Sequence, residues 1–121
     1  IMITLGTGIG SGVFLDGKLL PNTELGHVLH KNGKIFEKYA ADSARKKYEL
    51  SRKEWGKRLH EYFKHINLIL SPDLIIVGGG ASKKFDKFEA RINIKVPIIA
   101  AEAENEAGII GAALAAKYHI K

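Results

Sequence analysis

Residues 5–27, "LGTGIGSGVFLDGKLLPNTELGH", hold the side chains and the spacing best suited to chemistry. Gly6, Gly8, Gly10 and Gly12 take alternate positions, so backbone there can approach a group that a side chain would hold off. Thr7 and Ser11 add hydroxyls to the same run. Two readings stay open on spacing: N–H groups converging on an anion, or a tight hairpin that uses glycine only for positive φ. Asn22, Glu24 and His27 follow closely. Glu24 and His27, three residues apart, admit three chemistries: a metal site shared with His30, an acid/base pair, or hydrogen bonding to a polyhydroxylated ligand. The metal option lacks a cysteine or a further close ligand to complete a tetrahedral set. An ordinary surface Glu beside a capped His is the plain alternative.

The glycine run does not fit the common phosphate loops. A dinucleotide fingerprint requires G-x-G-x-x-G followed by a helix. Counted from Gly6, the third glycine position holds Ser11; counted from Gly8, it holds Val13; and the sequence continues as a strand. The protein-kinase glycine loop has the same spacing and fails in the same way. Gly12, Gly17 and Lys18 match most of G-x-x-x-x-G-K, but Leu19 stands where Ser or Thr would meet magnesium, so this match is fortuitous. A second run, Gly78-Gly79-Gly80, ends an apolar strand "DLIIV", and ligands of open α/β sheets bind at such strand ends. The segment 81–84, with Lys83, then opens a short predicted helix whose N-terminus favours an anion. Two glycine turns with lysines nearby favour a phosphate-rich ligand more than either turn does by itself.

The elements that must carry these residues alternate between strand and helix. Strands are predicted near 2–5, 12–15, 74–77 and 98–101, and a hairpin turn at Asp16-Gly17. Helices are predicted near 34–48, 52–70 and 105–117. The second of these has Ser51 as N-cap with Glu54 three residues on, an apolar stripe through Trp55, Leu59, Tyr62, Phe63, Ile66, Ile69 and Leu70, and Pro72 as its stop. Its aromatics belong to a core rather than to base stacking, since they fall on that stripe. Gly108, Gly111, Ala112 and Ala115 give the last helix a face of small residues. The pattern is that of an α/β domain.

A chain of 121 residues suits one domain, and 45% hydrophobic residues suffice for a core. No apolar run is long enough to span a bilayer, so no membrane partner is expected. The absence of cysteine excludes disulfides and thiolate metal sites and fits a cytoplasmic setting. The net charge of +6 favours an anionic partner, although lysines at 31–58 and 83–87 also suit a solvated face. A nucleic-acid module is disfavoured because no recognition motif is present.

Four ordered motifs, "LGTGIGSG", "PNTELGH", "SPDLIIVGGGASKK" and "NEAGIIGAALAA", resemble the C-terminal half of ROK-family sugar kinases and, within them, most resemble the polyphosphate glucokinases. The resemblance implies an actin/hexokinase-like (ribonuclease-H-like) α/β lobe, a mixed sheet flanked by helices, with residues 1–121 forming a single C-terminal lobe and the N-terminal lobe absent. It implies phosphoryl transfer from polyphosphate or ATP, with Mg²⁺, to the 6-hydroxyl of glucose. It assigns Gly6, Thr7, Gly8, Gly10, Ser11, Gly78, Gly79, Gly80 and Lys83 to the phosphoryl donor, and Asn22, Glu24 and His27 to the sugar. It places the catalytic base upstream of Ile1, so that no catalytic residue lies in this chain and the chain alone is expected to be inactive. It implies a homodimer, and no zinc, because the cysteine-rich motif of many relatives is missing. Asn105-Glu106 stands where the family has Asn-Asn. The alternative within the same resemblance is a non-catalytic sugar- or phosphate-binding regulator.

Overall fold

The computed structural model describes residues 1–80 and 91–101. Among the described residues five strands form one mixed sheet: β1 (Met2–Leu5), β2 (Ile9–Leu15), β3 (Lys18–Leu20), β4 (Ile75–Gly78) and β5 (Ile98–Ala100). Their order across the sheet is β3-β2-β1-β4-β5. The first three strands form an antiparallel meander, and β4 and β5 then add in parallel to the other edge of β1. Asp16 and Gly17 both take positive φ, 52° and 78°, which is the geometry that two-residue hairpins require. The hairpin expected there is present, and β2 starts three residues earlier than its predicted 12–15.

β1 and β4 read as apolar runs, interrupted in β1 by Thr4, because both of their faces are covered. On one face Ile3, Leu5, Ile75 and Val77 join Trp55, Leu59, Tyr62, Phe63 and Ile66 in the main core. On the other face Met2, Leu74 and Ile76 form a smaller cluster with Phe14 and Ala101.

The helix α3 (Arg52–Leu70) follows its sequence signals closely. Ser51 Oγ accepts from Glu54 N–H at 3.1 Å and donates to Glu54 Oε1 at 2.9 Å, so the cap is closed in both directions. Ser71, at φ 45°, ends the helix in the left-handed region just before Pro72. The stripe is shorter than its periodicity suggests: Ile69 and Leu70 are exposed. The helix expected over 34–48 is instead two pieces, α1 (Glu37–Ala40) and α2 (Asp42–Lys47). They are broken at Ala41, which is extended with ψ 163°. Trp55 Nε1 donates to Ala40 O at 2.9 Å and ties α3 to the end of α1. The helix expected over 105–117 lies outside the described residues.

Candidate phosphate and sugar site

Leu5 and Ile9 are paired across β1 and β2, so Gly6, Thr7 and Gly8 form the three-residue tip of a hairpin. Gly6 N–H donates to Gly8 O at 3.0 Å and closes the tip. Among the described residues the N–H groups of Thr7 and Gly8 have no acceptor. Two backbone donors on one tight turn are therefore left for a ligand, which is what an anion cradle supplies.

The tip is held from behind by the broken helix. Glu37 Oε1 accepts from Ile9 N–H at 2.9 Å. A Cβ on Gly8 would collide with that carboxylate. Ser43 N–H donates to Gly6 O at 3.1 Å, and Ser43 Oγ donates to Thr7 O at 2.6 Å. The break at Ala41 explains the first of these bonds: a continuous helix would commit Ser43 N–H to its own i−4 carbonyl. The alternating glycines continue into β2, where a Cβ on Gly10 would collide with Thr4 Oγ1. Close approach, not positive φ, is what these two positions require.

Because β1 and β4 are parallel neighbours, their C-terminal ends place the second glycine turn beside the first. Thr4 pairs with Gly78. Gly79 has φ +79°, and a Cβ there would lie 3.1 Å from Leu5 O and 3.2 Å from Leu5 N. A side chain at this position would meet both strain and backbone. Gly6 and Gly80 face open space. Lys83, expected beside this turn, lies outside the described residues.

The sugar candidates sit on a separate segment that β2 holds in place. Asn22, exposed and at φ 62°, turns the chain after β3. Glu24 then precedes a 3-10 turn over Leu25–His27. The turn closes with His27 N–H donating to Glu24 O at 3.0 Å. Glu24, at φ −131° and ψ 69°, is thus the residue before the turn and His27 the last residue in it. Both are exposed, and neither side chain has a hydrogen-bond partner among the described residues. Ser11 Oγ accepts from Leu25 N–H at 3.1 Å and donates to Thr23 O at 3.2 Å. Its one proton is thus directed at the Thr23–Leu25 segment, which the hydroxyl positions. Gly26 is buried against β2, where a Cβ would stand 2.5 Å from Ile9 O. His30, the third member of the metal option, is buried away from the pair. It stacks on Tyr39 at 4.0 Å between centroids and meets Phe36 edge-on at 5.1 Å. Among the described residues no group of three or more His, Cys, Asp or Glu could hold a metal ion.

Sequence reading missed Glu37, Ser43 and Gly26 as parts of the site. Gly26 lies inside the quoted "TELGH" and could have been found as an invitation to close packing. Glu37 and Ser43 carry no local signal, since their partners are 28 and 36 positions away.

Two phenols near the site titrate high. Burial, together with the hydrogen bond to Glu61, pushes Tyr39 up to about 12. Burial, with the charge of Glu37 adding to it, raises Tyr62 further. Both are neutral at physiological pH; Tyr39 donates to Glu61, whereas the buried Tyr62 hydroxyl has no partner among the described residues.

No protein-family model matches the chain. It is 44% identical over 115 residues to a polyphosphate glucokinase of Mycobacterium leprae, covering 95% of this chain and 35% of that protein. It is 42% identical to a polyphosphate glucokinase of Mycobacterium tuberculosis, covering 95% of this chain and 43% of that protein. Its structure superposes on an inorganic polyphosphate/ATP-glucomannokinase from Arthrobacter with a TM-score of 0.84 at 45% identity, covering 97% of this chain and 46% of that one. A ROK-family glucokinase from Streptomyces griseus superposes with a TM-score of 0.69 at 18% identity, which shows a shared fold. The chain spans less than half the length of these polyphosphate-using relatives. It is a homologue of polyphosphate glucokinases with the fold of the ROK sugar kinases.

Proposed function

We propose that this chain acts as the C-terminal lobe of a two-lobe sugar kinase that transfers a phosphoryl group from inorganic polyphosphate or ATP to the 6-hydroxyl of glucose. One observation carries the reading: the turn bearing Glu24 and His27 is fastened through Ser11 and Gly26 to β2, the strand that begins at the glycine hairpin. A phosphate-binding tip and a hydroxyl-binding pair built on one strand are what transfer between a phosphate and a sugar requires. The names of the relatives supply the donor and sugar classes.

Phosphoryl transfer is mostly positioning and neutralisation of charge. The free N–H groups of Thr7 and Gly8 bind donor oxygens at the hairpin tip. The turn at Gly79, adjoining Leu5, takes the more distant part of the donor. Glu24 accepts from sugar hydroxyls, and His27 donates to another. Mg²⁺, if bound with the donor, would shield its negative charge. The proton of the 6-hydroxyl goes to a carboxylate on the N-terminal lobe, upstream of Ile1. On the same likeness the enzyme is a homodimer, which light scattering tests.

The test is turnover. The two-lobe protein should form glucose 6-phosphate from glucose with polyphosphate or ATP, and residues 1–121 alone should not. Sugar and donor binding by the two-lobe protein without turnover would favour the regulator instead.

A further inference from the structure

On the helical side of the glycine hairpin two adjoining clefts, of about 360 and 200 Å³, share Lys34, Lys38 and Tyr48 in their walls. The first begins at Ser43, the residue bonded to Gly6 O and Thr7 O, and includes Lys47. The second ends at Arg58. Together they make one groove that leads away from the hairpin tip, lined by four cations and by no carboxylate. Lys34, Lys38 and Lys47 have no acidic partner within 4.0 Å among the described residues. Of the acids near Lys47 in sequence, Asp42 is already engaged by Arg45 at 2.7 Å and Lys46 at 3.4 Å, and Glu49, exposed two residues further on, lines neither cleft. Glu37, beside Lys38 in sequence, is turned to Ile9 N–H. A merely solvated basic face would interleave opposite charges at three- and four-residue spacing; no carboxylate lines this groove. The far end is pre-ordered, since Arg58 Nη1 donates to Tyr39 O at 3.0 Å and its guanidinium lies 4.3 Å over the Tyr39 ring.

We propose that this groove is the track for the tail of a linear inorganic polyphosphate whose terminal phosphate sits at the hairpin. The inference rests on the kinase reading above and adds to it the residues that tell one donor from the other. An unbranched polyanion needs a row of cations and no shape recognition, which Lys34, Lys38, Lys47 and Arg58 supply. ATP has no such tail, and its nucleoside departs by the Gly79 turn, so the groove serves polyphosphate alone.

The experiment uses the two-lobe protein and the combined variant Lys34→Gln, Lys38→Gln, Lys47→Gln. Equilibrium binding of fluorescently labelled long-chain polyphosphate is measured beside steady-state kinetics with long-chain polyphosphate, tripolyphosphate and ATP. Three exposed charge contacts correspond to about a tenfold loss. The variant should bind long-chain polyphosphate about tenfold more weakly, with a flatter salt dependence, while tripolyphosphate moves little and the KM for ATP and glucose stays put. Unaltered ATP kinetics also show that the variant is folded. The groove is refuted if wild-type protein does not bind the long chain, if the variant binds it as well as wild type, or if ATP weakens equally. Wild-type binding that the variant loses, without turnover of polyphosphate, supports the groove and overturns the donor reading, so the two fail separately.

Discussion

Glu37 Oε1 lies 2.9 Å from Ile9 N, accepting its hydrogen bond at the position where a Cβ on Gly8 would stand. The carboxylate fills the space that the glycine leaves and satisfies the first N–H of β2. Glu37→Ala strands that partly buried N–H, at a cost of about 1–3 kcal/mol. Gly8→Ala displaces the carboxylate and loses the same bond. The two effects should therefore not add: Gly8→Ala should be costly in the wild-type background and nearly neutral beside Glu37→Ala. Urea midpoints of the four proteins in the cycle measure this. Full additivity would show that the hydrogen bond does not support the hairpin.

Gly26 offers a different test, because its obstacle is backbone. A methyl group there meets Ile9 O at 2.5 Å and Ile9 Cβ at 3.0 Å, and neither can swing aside. Gly26→Ala should lift the 3-10 turn off β2 and raise the glucose KM of the two-lobe enzyme while the donor KM holds. Equal shifts in both would mean that the turn serves the whole site and not the sugar.

Glu24→Gln and His27→Ala address the sugar directly. Charge-assisted hydrogen bonds contribute about 1.5–3 kcal/mol, which corresponds to about 10–100-fold in glucose affinity. His30→Ala is the contrast. Its ring is buried and packed on Tyr39 and Phe36, so its loss should lower stability by about 1–3 kcal/mol and leave the glucose KM alone. If Glu24→Gln disturbs donor kinetics and spares glucose, the pair belongs to the phosphate site.

Asp42 gives a pH dependence. Burial tends to raise its pKa, but the hydrogen bond and charge of Arg45, with Lys46, outweigh burial and hold it below the usual carboxylate range. A carboxylate with a lowered folded pKa stabilises fully above its unfolded value, about 3.9, and that contribution disappears as pH falls through the folded value. Asp42→Asn should thus lower the urea midpoint at neutral pH, by an amount equivalent to about 0.3–1 kcal/mol for such a surface pair. The difference from wild type should shrink as the pH drops below about 4. A difference that persists at pH 2 would assign the effect to the start of α2 and not to charge.

How far the sequence could be read depended on the range over which each signal acts. α3 was legible because its cap, stripe and stop all lie within one segment. The turn at Asp16-Gly17 was legible for the same reason. The break at Ala41 was not: 34–48 contains good helix formers, and what favours the break is a bond from Ser43 to a loop 36 residues earlier. Ile69 and Leu70 continue the helical period correctly, but period alone cannot tell how far the opposing layer extends. In the site, the glycine run and the Glu24/His27 pair stood out by residue type. The job of Ser11 did not, because a hydroxyl beside glycines looks the same whether it faces a ligand or another loop.

The chain tolerates lengthening unevenly. Val28 O accepts from Phe36 N–H at 2.8 Å, and His30 O from Gly33 N–H at 2.9 Å, so the segment after the sugar turn doubles back through an exposed tip at Asn32-Gly33. Residues added at that tip would leave β2 and everything fastened to it undisturbed. One residue added between Gly8 and Ser11 would be a different event. It would reverse the faces of the strand from that point on, turning Ser11 from the loop it secures and exposing the stretch that steadies Gly26. Natural variation in length should therefore collect at 32–33 and be purged from 8–11, a pattern that any set of homologous sequences can be checked for.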